Sequence, residues 1–137
     1  EKHFEAANMD SDIHFLKKKI ESGAEYIVTQ MFFDNQKYFD FVNLCRNNDI
    51  NVPIIPGLKP ISTKKQLSLL PQRFHLSFPN ELVDEVLKCK NNNEITEVGI
   101  EWGISQVKEL IRFGAPCIHF YTMGKSSNVQ NIVRQFV

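Results

Sequence analysis

The strongest constraint in this chain is an alternation of apolar period. Short runs rich in β-branched and aromatic residues lie at positions 26–33 (YIVTQMFF), 52–57 (VPIIPG) and 117–123 (CIHFYTM). Between them, apolar residues recur every three or four positions, the mark of amphipathic helices. Strands separated by helices pair in parallel, because the intervening helix returns the chain to the start of the next strand. The expected fold class is therefore α/β with a parallel sheet, whose functional groups collect at the carboxyl ends of the strands. Three strands are too few to close a barrel.

The helix signals are local. Asp10 or Ser11 is placed to cap a helix whose Ile13, Leu16 and Ile20 share a face, with Gly23 as its stop. A second helix carries Tyr38, Phe39, Val42 and Cys45 and ends at RNND. Thr63 is expected to cap a short helix through Leu70, and Asn80 one over 81–90. A long helix is predicted from about Glu94 to Phe113 and stopped by Gly114, with NNNE near Asn91 as a loop. The segment 127–136 closes the chain as a helix.

Composition removes several function classes. The 137 residues carry 16 basic and 16 acidic side chains, so no net positive field recruits nucleic acid or anionic lipid. No stretch is long and apolar enough to span a membrane. Cys45, Cys89 and Cys117 are odd in number and lack CxxC spacing, which indicates neither a disulfide framework nor a zinc site, and a reducing cytoplasm fits them best. No metal site is expected. With Glu1 first and no signal-like segment, the chain reads as a piece of a longer protein, and positions 1–137 as part of one domain.

Parallel strands would bring three groups to one rim: Gln30 and Asp34 after the first strand, Gly57, Lys59, Pro60 and Gln66 after the second, and Thr122, Gly124 and Lys125 after the third. An amide such as Gln30, set among apolar strand residues, needs a hydrogen-bonding partner. It offers both donor and acceptor, as the amino-oxo edge of a pterin or a nicotinamide carboxamide requires. The plain alternative for each amide is a loop anchor. Lys17, Lys18 and Lys19 read either as a solvated helix face or as a phosphate contact. His119, within an apolar strand, reads as a hydrogen-bonded core residue, and Trp102 and Phe113 as core. No GxGxxG or GxxxxGK loop is present, so neither a Rossmann dinucleotide site nor a P-loop is supported.

Four blocks, EKHFEA, LKKKIESGAEYIVTQMFFDN, VPIIPGLKPIS and HFYTMGK, occur in this order across nearly the whole chain. Together they resemble the carboxyl-terminal half of the catalytic barrel of the methylenetetrahydrofolate reductase family. The resemblance implies the carboxyl-terminal part of a (β/α)8 TIM barrel with FAD at the strand ends. NAD(P)H reduces the flavin, leaves, and is replaced by folate in the same place, and the reduced flavin then delivers hydride to the methylene carbon. Gln30 matches the glutamine that contacts both ligands, Gln66 a second folate-contacting amide, and Lys125 a basic substrate contact that is commonly Arg. His3, Ala6, Asp12, Lys18 and Lys19 match positions lining the FAD.

Three departures accompany these matches. Phe4 stands for a Pro, Phe15 for a polar residue, and Leu70 for a stacking aromatic. The family's general acid is expected upstream of Glu1, so no catalytic residue is assigned here, and the fragment alone is expected to be inactive. The full-length protein is expected to be a cytoplasmic homo-oligomer of one-carbon and methionine metabolism. The alternatives are a non-catalytic half-barrel that binds a ligand or partner, or another TIM-barrel enzyme.

Overall fold

β-Branched residues at 27–29 and 54–55 form two strands, β1 (Ile27–Met31) and β2 (Ile54–Leu58), that pair in parallel. A third strand, β3 (His119–Phe120), joins β2, giving the order β1-β2-β3. A computed structural model describes residues 9–137, so His3 and Ala6 lie outside the described residues. The helices are α1 (Met9–Glu21), α2 (Asn35–Asn47), α3 (Gln66–Phe74), α4 (Asn80–Leu87), α5 (Asn92–Phe113) and α6 (Ser127–Val133). This is the α/β fold with a parallel sheet that the alternation predicts.

The helices bury one face of the sheet. Ile54 and Leu58 of β2 share a cluster with Ile13 of α1, Tyr38 and Cys45 of α2, Val107 and Leu110 of α5, and Ile132 of α6. The opposite face keeps Val28, Gln30 and His119 exposed. A parallel sheet normally has both faces covered, so helices on one side only is the arrangement of a barrel-wall segment, with Gln30 on its inner face. A second cluster, including Met31, Phe33, Ile61, Leu82, Val86 and Ile95, lies beyond the strand ends under α3, α4 and the start of α5.

Several local expectations are corrected. Asp10 and Ser11 fall within the described span of α1 and not ahead of it. The stop at Gly23 holds: its φ is 114°, and its N–H donates to the Ile20 carbonyl at 3.0 Å. Neither Thr63 nor Asn80 is a side-chain cap, because α3 starts only at Gln66 and α4 starts at Asn80 itself. α3 runs on past Leu70 to Phe74 even though Pro71 lies inside it and has no N–H to donate to the Leu67 carbonyl. Asn91 is the true cap of α5, accepting from Glu94 N–H at 3.0 Å, so most of NNNE is helix.

The third strand is shorter than predicted. Tyr121 N–H donates to the Leu58 carbonyl at 2.8 Å, but Pro56 has no N–H for the next rung toward Cys117. His119 is exposed and sets its ring edge-on to Tyr121 at 4.7 Å, so it is no core residue.

Cys45 yields a first expected result. It is wholly buried, and burial pushes its thiol up to about 11, with Arg46 pulling the other way. The folded chain thus keeps a proton that the unfolded chain releases from 9.0 upward, so this group's stabilisation is lost as pH rises from 9.0 toward about 11. At neutral pH, iodoacetamide should label exposed Cys117 in the native protein and reach Cys45 only after denaturation, as mass spectrometry of the two samples would show.

Candidate functional site

Because all three strands run parallel, their carboxyl ends form one rim. Gln30 sits there near the end of β1, Lys59 just after β2, Gln66 at the start of α3, and Lys125 in the turn after β3. Each of these residues thus lies at or after the carboxyl end of a strand, Gln66 at the greatest remove.

Gln30 is exposed, and its Oε1 accepts from the N–H of Met31 at 3.1 Å. That bond settles which way the amide points: the oxygen is held by backbone, and the NH2 is left to donate outward. Gln66 repeats the pattern. Its Oε1 accepts from Ser62 N–H at 2.7 Å and Thr63 N–H at 3.2 Å, which ties down the loop before α3 and leaves its NH2 without a bond among the described residues. Gln66 is therefore a loop anchor through its oxygen, with its NH2 still able to donate. Lys125 is exposed after a turn in which Met123 and Gly124 have φ of 52° and 84°.

The β1 end is shaped by a bulge. Val28 pairs with Ile55 and Met31 with Gly57, so three steps along β1 answer two along β2. Such a surplus residue interrupts the ladder and re-aims the side chains beside it. Here the residues affected are Thr29 and Gln30.

Downstream, the segment from Phe32 to Asn35 is clamped by α5. Trp102 Nε1 donates to the Phe33 carbonyl at 2.8 Å, and Gln106 Nε2 to the Phe32 carbonyl at 3.3 Å and to Asn35 Oδ1 at 3.0 Å. Asn35 Nδ2 in turn donates to the Gln106 carbonyl at 3.1 Å and to Glu109 Oε1 at 2.9 Å. Sequence reading missed this network; its one signal is Gln106, a polar residue beside Gly103 and Val107 on the packed side of α5. Asp34 caps α2, its Oδ1 accepting from Gln36 N–H at 3.0 Å.

Lys59 is a further rim residue. It is half-buried, burial lowers its pKa from the ordinary lysine value, and it takes part in no ion pair among the described residues. An ammonium in that setting favours an electron-rich ligand atom.

On α1, Asp12 is half-buried while Phe15, Lys18 and Lys19 are exposed, on a side distinct from Ile13, Leu16 and Ile20. Asp12 to Lys19 spans ~10 Å along the axis. No group of three or more His, Cys, Asp or Glu that could hold a metal occurs among the described residues. No helix among them is long and apolar enough to cross a membrane.

A family model described as methylenetetrahydrofolate reductase matches residues 1–137. The chain belongs to that family. Among curated relatives it is 35% identical over 124 residues to methylenetetrahydrofolate reductase (NADH) 1 of Arabidopsis thaliana, covering 90% of this chain and 21% of the relative. It is also 35% identical over 135 residues to 5,10-methylenetetrahydrofolate reductase of Buchnera aphidicola subsp. Schizaphis graminum, covering 98% of this chain and 46% of that one. The chain thus spans about a fifth of the plant relative and just under half of the bacterial one. Among solved structures it resembles an uncharacterized protein from Clostridium thermocellum that binds two copies of 5-methyl-5,6,7,8-tetrahydrofolic acid. That likeness has a TM-score of 0.58 at 21% identity and covers 93% of this chain and 47% of that one, which supports the fold.

Proposed function

We propose that, in the full-length protein, this chain supplies the substrate rim and part of the flavin site of a cytoplasmic reductase that converts methylenetetrahydrofolate to methyltetrahydrofolate at the expense of NAD(P)H. The observation that carries the reading is Gln30. On the exposed inner face of a barrel-wall segment, a backbone-oriented amide presents its NH2 at the strand ends. A donor so placed suits the carbonyl of a nicotinamide carboxamide and the oxo group of a pterin in turn. Gln66 and Lys125 would add a second donor and a positive charge on the same rim. The folate bound by the structurally similar Clostridium thermocellum protein is consistent with this substrate class.

For the flavin, the α1 stripe fits an elongated anion with an aromatic end. Lys18 and Lys19 would face the diphosphate, Asp12 a polar edge, and the exposed ring of Phe15 an aromatic group. When bound, FAD supplies the two-electron carrier between nicotinamide and folate. The residues on this chain bind and orient; Asp34, the acid after β1, is already engaged as a helix cap and is given no proton-transfer role.

The test is an absorbance spectrum of the purified full-length protein. A flavin that bleaches with NADH or NADPH and recovers with methylenetetrahydrofolate is expected. A protein with no flavin, or with one that nicotinamide cannot bleach, would favour a ligand-binding half-barrel instead. Replacing Lys18 and Lys19 together by Ala should lower FAD retention on dialysis and flatten its dependence on salt, since the screened contacts are the ones removed. Equal retention and equal salt dependence in both proteins would leave the two lysines as a solvated face.

A further inference from the structure

We propose that Thr29, Gly57 and Tyr121 act together as a positioning device that holds the Gln30 amide in its ligand-binding orientation. The inference rests on the reading of Gln30 given above.

The β1–β2 ladder starts regularly, with Ile27 N–H donating to the Pro53 carbonyl at 2.9 Å. Continued in register, it would take Gly57 N–H to the Thr29 carbonyl. The extra residue in β1 prevents this, and Gly57 N–H donates instead to the Thr29 side-chain Oγ1 at 2.9 Å. The displaced Thr29 carbonyl turns toward the inner face, where it accepts from the Tyr121 hydroxyl at 2.8 Å. A bulge that would otherwise leave a donor and an acceptor unsatisfied is closed by two side chains.

The space for this exchange exists only because residue 57 is glycine. A Cβ there would lie 2.6 Å from the Thr29 carbonyl oxygen and 2.6 Å from Cε2 of Tyr121. The Tyr121 ring therefore lies across Gly57 to reach β1, with His119 edge-on against it at 4.7 Å and 81°. The Thr29 carbonyl belongs to the peptide unit that begins Gln30. That peptide is held by Tyr121 on one side, and the Gln30 side chain by Met31 N–H on the other. A residue whose backbone peptide and side-chain oxygen are both held presents its free NH2 pre-organised, so less ordering is left for the ligand to impose. Tyr121 itself need not touch substrate.

A double-mutant cycle in the full-length, flavin-loaded protein tests this, with the dissociation constant of 5-methyltetrahydrofolate measured by calorimetry. Tyr121→Phe, which removes only the hydroxyl, is expected to weaken binding ~10-fold, in the range of one lost neutral hydrogen bond, with flavin content unchanged. In a Gln30→Ala background the same change should have no further effect, because nothing remains to be positioned. Equal weakening in both backgrounds, or no weakening in either, would overturn the inference while leaving the Gln30 reading intact. Normal binding by Gln30→Ala alone would overturn both. Should Tyr121→Phe fold poorly, the Thr29 pair decides: Thr29→Val should reproduce the loss and Thr29→Ser, which keeps Oγ, should restore binding. Identical affinities for these two variants would refute the device.

Discussion

Gln30→Glu in the full-length protein is expected to slow both flavin reduction by nicotinamide and flavin reoxidation by folate, each by roughly 10- to 100-fold, with flavin content unchanged. The geometry explains why this near-isosteric change is severe. Gln30 Oε1 already accepts from Met31 N–H at 3.1 Å, and a carboxylate oxygen can keep that bond. What changes is the outward atom, from an NH2 that donates to an anionic oxygen that can only accept. A ligand carbonyl facing it loses its donor and meets a negative charge. Leaving one neutral partner unpaired costs about 1–3 kcal/mol, and more when a charge is involved. At about 1.4 kcal/mol per tenfold change, that yields the expected factor. The folate step should suffer more if the pterin is held more closely than nicotinamide. Stopped-flow absorbance separates the two steps, and wild-type rates in both would return Gln30 to a strand-end anchor.

Gly99→Ala should destabilise the protein by about 3 kcal/mol or more, the upper range for overpacking. Helix propensity alone argues the reverse, since Ala in place of Gly within a helix interior gains about 1 kcal/mol. The packing decides. α5 lies directly on the backbone of the segment that follows β2, and a Cβ on Gly99 would enter the Ile61 carbonyl, which is main chain and cannot rotate away. Ile61 is itself buried in the second cluster with Met31 and Leu82, so relief requires moving α5 off the strand ends. Gly103, one helical turn on, provides the contrast. There a Cβ would meet Ile132 Cδ1 at 2.6 Å, the far end of a flexible side chain, so Gly103→Ala should be much milder. Denaturant unfolding of the two variants in the full-length protein tests this, and equal midpoints would show that α5 does not press on Ile61 as described.

Much of this architecture is local and therefore legible in the chain. The apolar alternation specifies strands and helices because period two and period three-to-four are properties of the backbone geometry itself. Gly23 and Gly114 stop α1 and α5 because both adopt a positive φ that other residues resist. The parallel direction of the strands follows from the helices between them, and with it the expectation that groups after each strand face one rim. The four sequence blocks point to the same family that the comparisons show.

Tertiary structure decided what depends on residues distant in sequence. The third strand reads as seven residues but pairs over two, because its neighbour carries Pro56 at the rung it would need. His119 has the surroundings of a core residue in sequence, yet the register with Gly57 puts it on the uncovered face. The clamp of Trp102 and Gln106 on the β1 end joins positions about seventy residues apart, a separation that no local period encodes. The amide at Gln30 was visible from its residue type and its place among apolar neighbours. Its orientation was not: that depends on one surplus residue in β1, a glycine in β2 and a tyrosine after β3, and only their packing in space determines which hydrogen bonds the Thr29 carbonyl and Gly57 N–H can make.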